Sequence, residues 1–376
     1  MRLLLCTNSR DRGSTSRTLE GWVRLLPERG VEPAVTVGGE GPLLTALREA
    51  HVPVFTHPIR VFFDARRPLA FLWEMFRLIV RMRWHRIQLV HVNEHEHYPV
   101  VARAAYLARV PIVVHLRFKP EAAMCHWLFK PPSTPRRLFF TSQTQMDDSA
   151  DAVAPAVPRD RWRLIYNGLD LAVFGRDHAS RDRLRAAWGL SPSTVAIGTA
   201  SSISSRKRLD HFVRLIAALA ESGLDVHGFI AGQPYFGEDE DELRSLKALT
   251  TALGVDNRVT FLGYVEPAEP LYHAWDVCVS TSAYETFGMT VLEAMACRCP
   301  VVAYPGGSVA EVLGADGGAV VADGNLTALV DAVRALAADR AHRSAMAAAG
   351  RHRAERFDIR RSVDQLVAEY RAVLAP

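Results

Sequence analysis

Lysine is nearly missing from this sequence: it stands only at Lys119, Lys130, Lys207 and Lys247, and the rest of the 45 basic side chains are arginine. Arginine suits phosphate binding, although a chain this rich in alanine also carries the bias of its coding composition. A strong charge of one sign is missing too. The net charge is only +4, which gives no electrostatic ground for expecting nucleic acid as a partner. Cysteine is sparse. Cys6, Cys125, Cys278, Cys297 and Cys299 are odd in number and scattered, and no C-x-x-C occurs. A disulfide framework is therefore excluded. Cys297 and Cys299 are too close for an ordinary zinc pair and have no second pair to join, so free buried thiols in a reducing cytoplasm are expected.

Long apolar runs are also absent. The N-terminal stretch RLLLCT is shorter than the apolar region of a secretion signal and reads as a strand. The nearest approach to a membrane segment is PLAFLWEMFRLIVRMRWHRIQLVHV, residues 68–92, and it is broken by Glu74, Arg77, Arg81 and Arg83. Such a stretch does not span a bilayer. It reads as a helix packed on a sheet with its arginines outward, the alternative being a helix lying on an anionic membrane surface. A cytoplasmic protein is expected, with peripheral contact at the inner face of the membrane left open. The sequence is silent on oligomeric state, and it holds no low-complexity segment or short repeat.

What is present is an ordinary globular composition, 49% apolar and 23% charged, over 376 residues, more than one core comfortably serves. Aliphatic runs of strand length at 2–7, 32–37, 52–57, 87–92, 110–116 and 137–142 alternate with helical patterns near 16–29, 42–50, 69–86, 98–109 and 143–152. Runs without polar alternation indicate strands buried on both faces, hence a parallel sheet wrapped by helices. Pro, Gly and Asp cluster over 155–195, which places a boundary near Phe174. A second series of strands follows at 194–200, 225–232, 258–264, 276–281, 299–304 and 318–321. The expected domains are 1–173 and 174–357, both α/β and doubly wound, with an amphipathic C-terminal helix, 358–376, packing back on the first. Open α/β sheets bind ligands at the carboxyl ends of their strands. Two such sheets facing each other across a cleft suit a two-substrate reaction.

The chemistry concentrates in residues 276–312. DVCVST reads as a strand, SAYETFG as a loop and MTVLEAMAC as a helix. Gly288 allows the tight turn into that helix. The N–H groups of Gly288, Met289, Thr290 and Val291 then form an anion site suited to a diphosphate, to which the Thr290 hydroxyl adds a donor. Glu293 lies one turn inside the helix, at a rise of about 1.5 Å per residue. A carboxylate there repels a phosphate in contact but accepts hydrogen bonds from vicinal hydroxyls such as those of a ribose. Glu285, before the turn, is placed to accept hydroxyls of a sugar.

The Glu285–Glu293 pair, followed by PVVAYPGGSVAEV, closely resembles the E-x7-E signature of retaining glycosyltransferases of family 4, which have the GT-B fold of two Rossmann-like domains. TNSRDRGSTSRTLE, GGEGPLLTALREAHVPVF, VVHLR, YNGLD, HGFIAG and RVTFLGYV are similar to further family stretches, in the same order and over nearly the whole chain. The resemblance implies roles residue by residue. Glu285 would contact the donor sugar and Glu293 the ribose. Phe287, Gly288, Met289 and Thr290 would line sugar and phosphates, with Gly232 closing a strand beside the base. His115 would approach the transferred sugar, and Gly13 and Ser14 would face the donor phosphates from the first domain. Lys207 stands at the family's diphosphate-clamping lysine, whereas the clamping arginine is replaced by Ser202, with Arg206 the candidate substitute. ACRCP departs as well, with Arg298 where glycine is usual. The resemblance implies displacement on one face without a covalent nucleophile, and no bound metal.

Two rival sites lose ground on local grounds. HVNEHEHYP contains H-x-x-E-H, an inverted zinc-peptidase pattern. His91 reads as the end of a buried strand, however, which separates it from His95 by about 13 Å. As a loop at a strand end, Glu94, His95 and His97, with Arg117 nearby, suit an acceptor instead. The acids of GEDEDEL open a helix and read as solvated rather than metal-binding. The sequence thus predicts a retaining hexosyltransferase that uses a nucleoside diphosphate sugar, with UDP favoured by family frequency. Its catalytic residues would be His115, Lys207 and Glu285, and it would need no cofactor. The acceptor is a hydroxyl of a small metabolite, lipid-linked glycan or polysaccharide precursor. The alternative is a nucleotide-sugar 2-epimerase of the same fold.

Overall fold

The computed structural model describes residues 1–57, 68–175, 177–234 and 237–375. The chain divides into two compact units, Met1–Leu169 with Asp358–Pro376, and Asp170–Phe357. The division falls between Leu169 and Asp170, inside the YNGLD stretch and ahead of Phe174.

In the first unit the strands are β1 (Arg2–Cys6), β2 (Glu32–Val37), β3 (Val54–Thr56), β4 (Leu89–Val92), β5 (Ile112–Leu116), β6 (Arg137–Phe140) and β7 (Trp162–Leu164). They form one parallel sheet in the order β3-β2-β1-β4-β5-β6-β7. The unbroken aliphatic character of β1 has a direct cause. Leu3 and Leu5 enter a core with Leu19, Trp22, Leu43, Val363 and Tyr370, while Leu4 and Cys6 enter another with Leu78, Met82, Val100 and Ala104. The C-terminal helix Ile359–Leu374 therefore closes one face of this sheet. Gly168 lets it come close, since a Cβ there would lie 2.3 Å from the Cα of Ile359.

The second unit holds β8 (Val195–Ala200), β9 (Val226–Ala231), β10 (Val259–Gly263), β11 (Val277–Ser280), β12 (Val301–Ala303) and β13 (Ala319–Val320), parallel in the order β10-β9-β8-β11-β12-β13. Both sheets reverse their strand order once, between β1 and β4 and between β8 and β11. The carboxyl ends flanking such a reversal are where open α/β sheets leave a crevice. Strand β7 and the helices Ala122–Leu128 and His178–Ala187 lie where the sequence reading places no regular element.

Helix Met289–Ala296, which follows β11, ends in a Schellman motif. Arg298 N–H donates to Met295 O at 3.0 Å and Cys299 N–H to Ala294 O at 2.9 Å. Arg298 occupies the left-handed region at φ 59°. This explains why glycine suits the position and why arginine there carries strain. Arg298→Gly is expected to raise stability by about 0.5–1 kcal/mol. Chemical denaturation checks this, and a loss of stability would show that the arginine side chain outweighs its backbone strain.

Candidate functional site

The crevice of the second unit is built from two loops, one after β8 and one after β11. Each depends on a backbone approach that only glycine allows. A Cβ on Gly232, at φ 151°, would stand 1.7 Å from the carbonyl oxygen of Ser201. A Cβ on Gly306 would stand 2.3 Å from Ser282 O, and one on Gly307, at φ 61°, 2.2 Å from Glu285 O. The Gly-Gly pair is thus a template for the loop that carries Glu285. Glu285 N–H donates to Gly306 O at 3.2 Å, Ser308 N–H to Glu285 O at 2.8 Å, and the Ser308 hydroxyl to Thr286 O at 2.8 Å. The two loops are stitched together as well. Ala283 N–H reaches Arg206 O at 2.8 Å, and Thr281 Oγ1 donates to Lys207 O at 2.8 Å.

This stitching sets the buried Lys207 against Glu285, and Nζ donates to Oε1. Burial lowers the lysine pKa from its ordinary value, Glu285 opposes that shift, and Arg206 adds to it. Gly288, at φ 92°, caps helix Met289–Ala296 without a side-chain cap. Leu292 N–H is the first to find a partner along the helix, Gly288 O at 3.2 Å. The N–H groups of Met289, Thr290 and Val291 therefore lack partners within it. Glu293 is buried one turn in, and its Oε2 accepts from Tyr272 Oη at 2.8 Å.

Several expected residues stand differently. The Thr290 hydroxyl donates to Ala200 O at 2.6 Å, so it tethers the helix to the end of β8 instead of offering its proton to a ligand. Phe287 is buried and meets Phe357 edge-on at 5.5 Å, as core rather than lining. Met289 and Ser202 are half-buried, and Arg206 is exposed. Tyr272, absent from the sequence reading, sits in helix Glu269–Ala274, and no motif or spacing links it to Glu293.

In the first unit Gly13 precedes helix Ser14–Leu25 with φ −64° and open space where a Cβ would stand, so its backbone makes no special demand for glycine. Ser14 opens that helix, exposed to solvent. The other expected residues gather into a buried network at the carboxyl ends of β1, β4 and β5. Glu94 Oε1 accepts from Thr7 Oγ1 at 3.0 Å and Asn93 Nδ2 at 2.8 Å. Arg117 donates to Asn93 O at 3.0 Å, Asn93 Oδ1 at 2.6 Å and Asn167 Oδ1 at 2.5 Å, and its guanidinium lies over Trp22. Burial brings the pKa of this arginine down to about 10, which leaves it charged. His97 Nε2 contacts Cys6 O at 3.3 Å. His95 is buried too, with Nδ1 unpartnered; burial and the neighbouring His97 bring its pKa down to about 4. Glu94, His97 and Arg117 are thus turned to partners within the chain at the end of the sheet, whereas His95 Nδ1 finds none.

His115 corrects the sequence reading most clearly. It is 0% exposed, stacked among Trp22, His91 and Phe139, and its Nδ1 lies 2.7 Å from His91 Nε2. His91 Nδ1 in turn meets Tyr370 Oη at 2.5 Å. Burial, with Arg117 nearby, holds both histidines well below their usual pKa. His115 is thus enclosed by rings where the sequence expects an approach to the sugar, and its Nε2 has no hydrogen-bond partner. His91 is also held away from His95, so the zinc-peptidase pattern does not assemble. Among the described residues no group of three or more His, Cys, Asp or Glu side chains comes together as metal ligands.

Comparison with known proteins agrees with this architecture. Residues 180–353 match the family described as glycosyl transferases group 1, and residues 13–196 match the glycosyl transferase 4-like domain. A lipopolysaccharide core biosynthesis mannosyltransferase of Rhizobium leguminosarum is 32% identical over 279 residues, 70% of this chain and 78% of that protein. A D-inositol 3-phosphate glycosyltransferase of Catenulispora acidiphila is 31% identical, covering 61% of this chain and 56% of that one. A GDP-mannose-dependent phosphatidylinositol dimannoside mannosyltransferase of Mycobacterium tuberculosis is 31% identical over 54% of this chain and 50% of its own. Among solved structures, Anabaena HepE in complex with UDP and glucose superposes with a TM-score of 0.86 at 23% identity over 99% of both chains. WaaG, a glycosyltransferase involved in lipopolysaccharide biosynthesis, gives 0.72 at 18% identity over 97% of this chain and 98% of its own. At these identities the two structures speak for the fold, GT-B with its two Rossmann-like domains, and the aligned mannosyltransferase speaks for the lineage: the chain belongs to the group 1, family 4-like glycosyltransferases.

Proposed function

We propose that this glycosyltransferase moves a hexose or amino-hexose from a nucleoside diphosphate sugar to an acceptor hydroxyl, with the anomeric configuration retained. The observation that carries the reading is the meeting, at one strand-order reversal, of an uncapped helix N-terminus, Lys207, Glu285 and Glu293. The diphosphate is placed at the N–H groups of Met289, Thr290 and Val291. On donor binding Lys207 leaves Glu285 for the phosphates, and the released carboxylate accepts hydroxyls of the sugar. Charge that grows on the departing diphosphate is then met by fixed dipoles and a cation already in position. That neutralisation calls for no metal, so chelation is expected to leave activity intact. Glu293, held by Tyr272, takes the ribose hydroxyls.

UDP is the favoured nucleotide, in line with the UDP that HepE binds. GDP-mannose is the competing donor, since one relative is named for it. The acceptor class is the hydroxyl of a lipid-linked glycan, polysaccharide precursor or small metabolite, as the names of the mannosyltransferase and inositol phosphate relatives suggest. A thermal-shift screen of UDP- and GDP-sugars identifies the donor, because only a ligand of the folded state raises the melting temperature. Conversion of the donor without an acceptor would point to the epimerase instead, and an inverted product in the NMR spectrum would remove the claim of retention.

Lys207→Ala is expected to lower kcat by roughly 10²–10³-fold, the scale for losing one preorganised donor to a developing anion. Unchanged turnover in that variant would leave the phosphate assignment without support. Glu293→Ala is expected to raise the donor KM about tenfold or more through loss of charged hydrogen bonds. Tyr272→Phe is expected to raise it by a smaller factor with kcat preserved. Should Tyr272→Phe reduce kcat and leave KM alone, Glu293 does not act on the ribose.

A further inference from the structure

The helix Pro68–Trp84 has a core face and a solvent face, and both are apolar. Phe71, Leu78 and Met82 enter the core of the first unit, with the half-buried Met75 and Ile79 packed alongside. On the opposite side Leu69, Leu72, Trp73, Phe76, Val80 and Trp84 are exposed, with Leu69 at 78% and Trp84 at 82%. At 100° per residue these positions form one stripe diametrically opposed to the core face. Two of the charges that interrupt the sequence are withdrawn from the stripe, whereas Arg77 is half-buried at its flank and the exposed Arg83 falls within it. Glu74 is buried, and Arg81 turns in to His57 Nδ1 at 3.1 Å and Thr56 O at 3.3 Å. The expectation of arginines outward and apolar groups inward is therefore corrected: the outward face is mostly hydrocarbon and indole.

Its surroundings are basic. Arg83 and Arg86 are exposed at the end of the helix. The neighbouring helix Tyr98–Ala108 covers the same sheet face and adds exposed Arg103, Tyr106 and Leu107, with Arg103 over the ring of Phe71. A groove alongside is lined by Tyr106, Arg109, Arg136, Arg161, Val373 and Leu374, and no acidic side chain is among its lining residues.

We infer that this face docks on an anionic lipid bilayer, with the stripe in the acyl–headgroup boundary and the arginines on lipid phosphates. A convex apolar stripe with tryptophans and a basic rim is the pattern of helices that lie in a membrane interface. Arginine stems reach apolar surface while the guanidinium stays with phosphate. A second copy is a poorer occupant, because a two-fold contact pairs this face with itself and so brings basic rim to basic rim, and no acidic side chain lines the adjoining groove. No helix among the described residues is long and apolar enough to cross a membrane, so the contact is peripheral. The inference is independent of the donor assignment.

The test is co-sedimentation of the full chain with vesicles of phosphatidylglycerol and phosphatidylcholine, against phosphatidylcholine alone. Binding is expected to the anionic vesicles and to weaken as salt is raised. Trp73→Glu with Phe76→Glu is expected to lower the partition coefficient on the order of 100-fold. Arg83→Glu with Arg86→Glu is expected to lower it roughly tenfold or more. All four side chains are exposed, and an unchanged melting temperature shows that each variant is folded. The inference is overturned if the wild-type protein ignores anionic vesicles, or if neither pair weakens binding. It is equally overturned by a solution dimer that Trp73→Glu with Phe76→Glu dissolves, since that assigns the face to a second copy.

Discussion

Close backbone approach without side chains governs the crevice of the second unit. The Gly306–Gly307 turn lies against the loop Ser282–Glu285 so tightly that any Cβ would fall within 2.6 Å of a carbonyl oxygen. Gly232 does the same for the loop after β8. Two loops distant in sequence are thereby fixed to each other before any ligand arrives, and Lys207 meets Glu285 as a consequence. Electrostatic catalysis depends on charges that need not reorganise when the reaction begins. Here the rigidity comes from hydrogen bonds and steric limits of the main chain, which side-chain motion does not relax.

The two units share a topology and use it differently. Each reverses its strand order once, and each gathers polar groups at the carboxyl ends beside the reversal. In the first unit the charged members find partners within the cluster: Glu94 holds the loop after β1, and Arg117 joins β4, β5 and Asn167, while His95 Nδ1 and His115 Nε2 have none. A buried charge needs such partners, since burial without them is costly. In the second unit the helix N-terminus keeps N–H groups without helical partners, and Glu285 is only half-buried. The same placement in the fold thus carries a largely braced cluster in one unit and a helix end with N–H groups free of helical partners in the other.

Aliphatic runs made most strands legible in the sequence, since a strand buried on both faces has no other way to read. Strand β7 escaped because Trp162–Leu164 is too short to form a run, and Ala122–Leu128 and His178–Ala187 lie among prolines and charges that mask their periodicity. The site was legible wherever its requirement is a backbone one, as at Gly288 and the Gly-Gly turn. Side-chain direction was not. In β5 the alternation sends Val114 and Leu116 to one core and Val113 to the other, and His115 follows Val113 toward Trp22 and Tyr370. A motif fixes where a residue stands in the chain; the pleat decides which way it faces. On a helix and in a loop, the Thr290 and Phe287 side chains are likewise directed by packing, toward Ala200 at the end of β8 and toward Phe357.

The helix Pro68–Trp84 shows the converse limit. Its acidic and basic residues resemble a polar face in sequence, yet three-dimensional packing withdraws Glu74 and Arg81 and leaves indole and hydrocarbon outside. A helix apolar all round normally lies wholly inside a core. This one has a single sheet beneath it, and among the described residues nothing from its own unit covers its outer face. The near absence of lysine bears on what accepts such a face. Arginine binds phosphate through a planar fork and is less strongly hydrated than an ammonium group, so an arginine rim suits the lipid phosphates that the inferred docking would bring to it. Composition, which on its own said little about partners, gains meaning once the fold shows where the arginines stand.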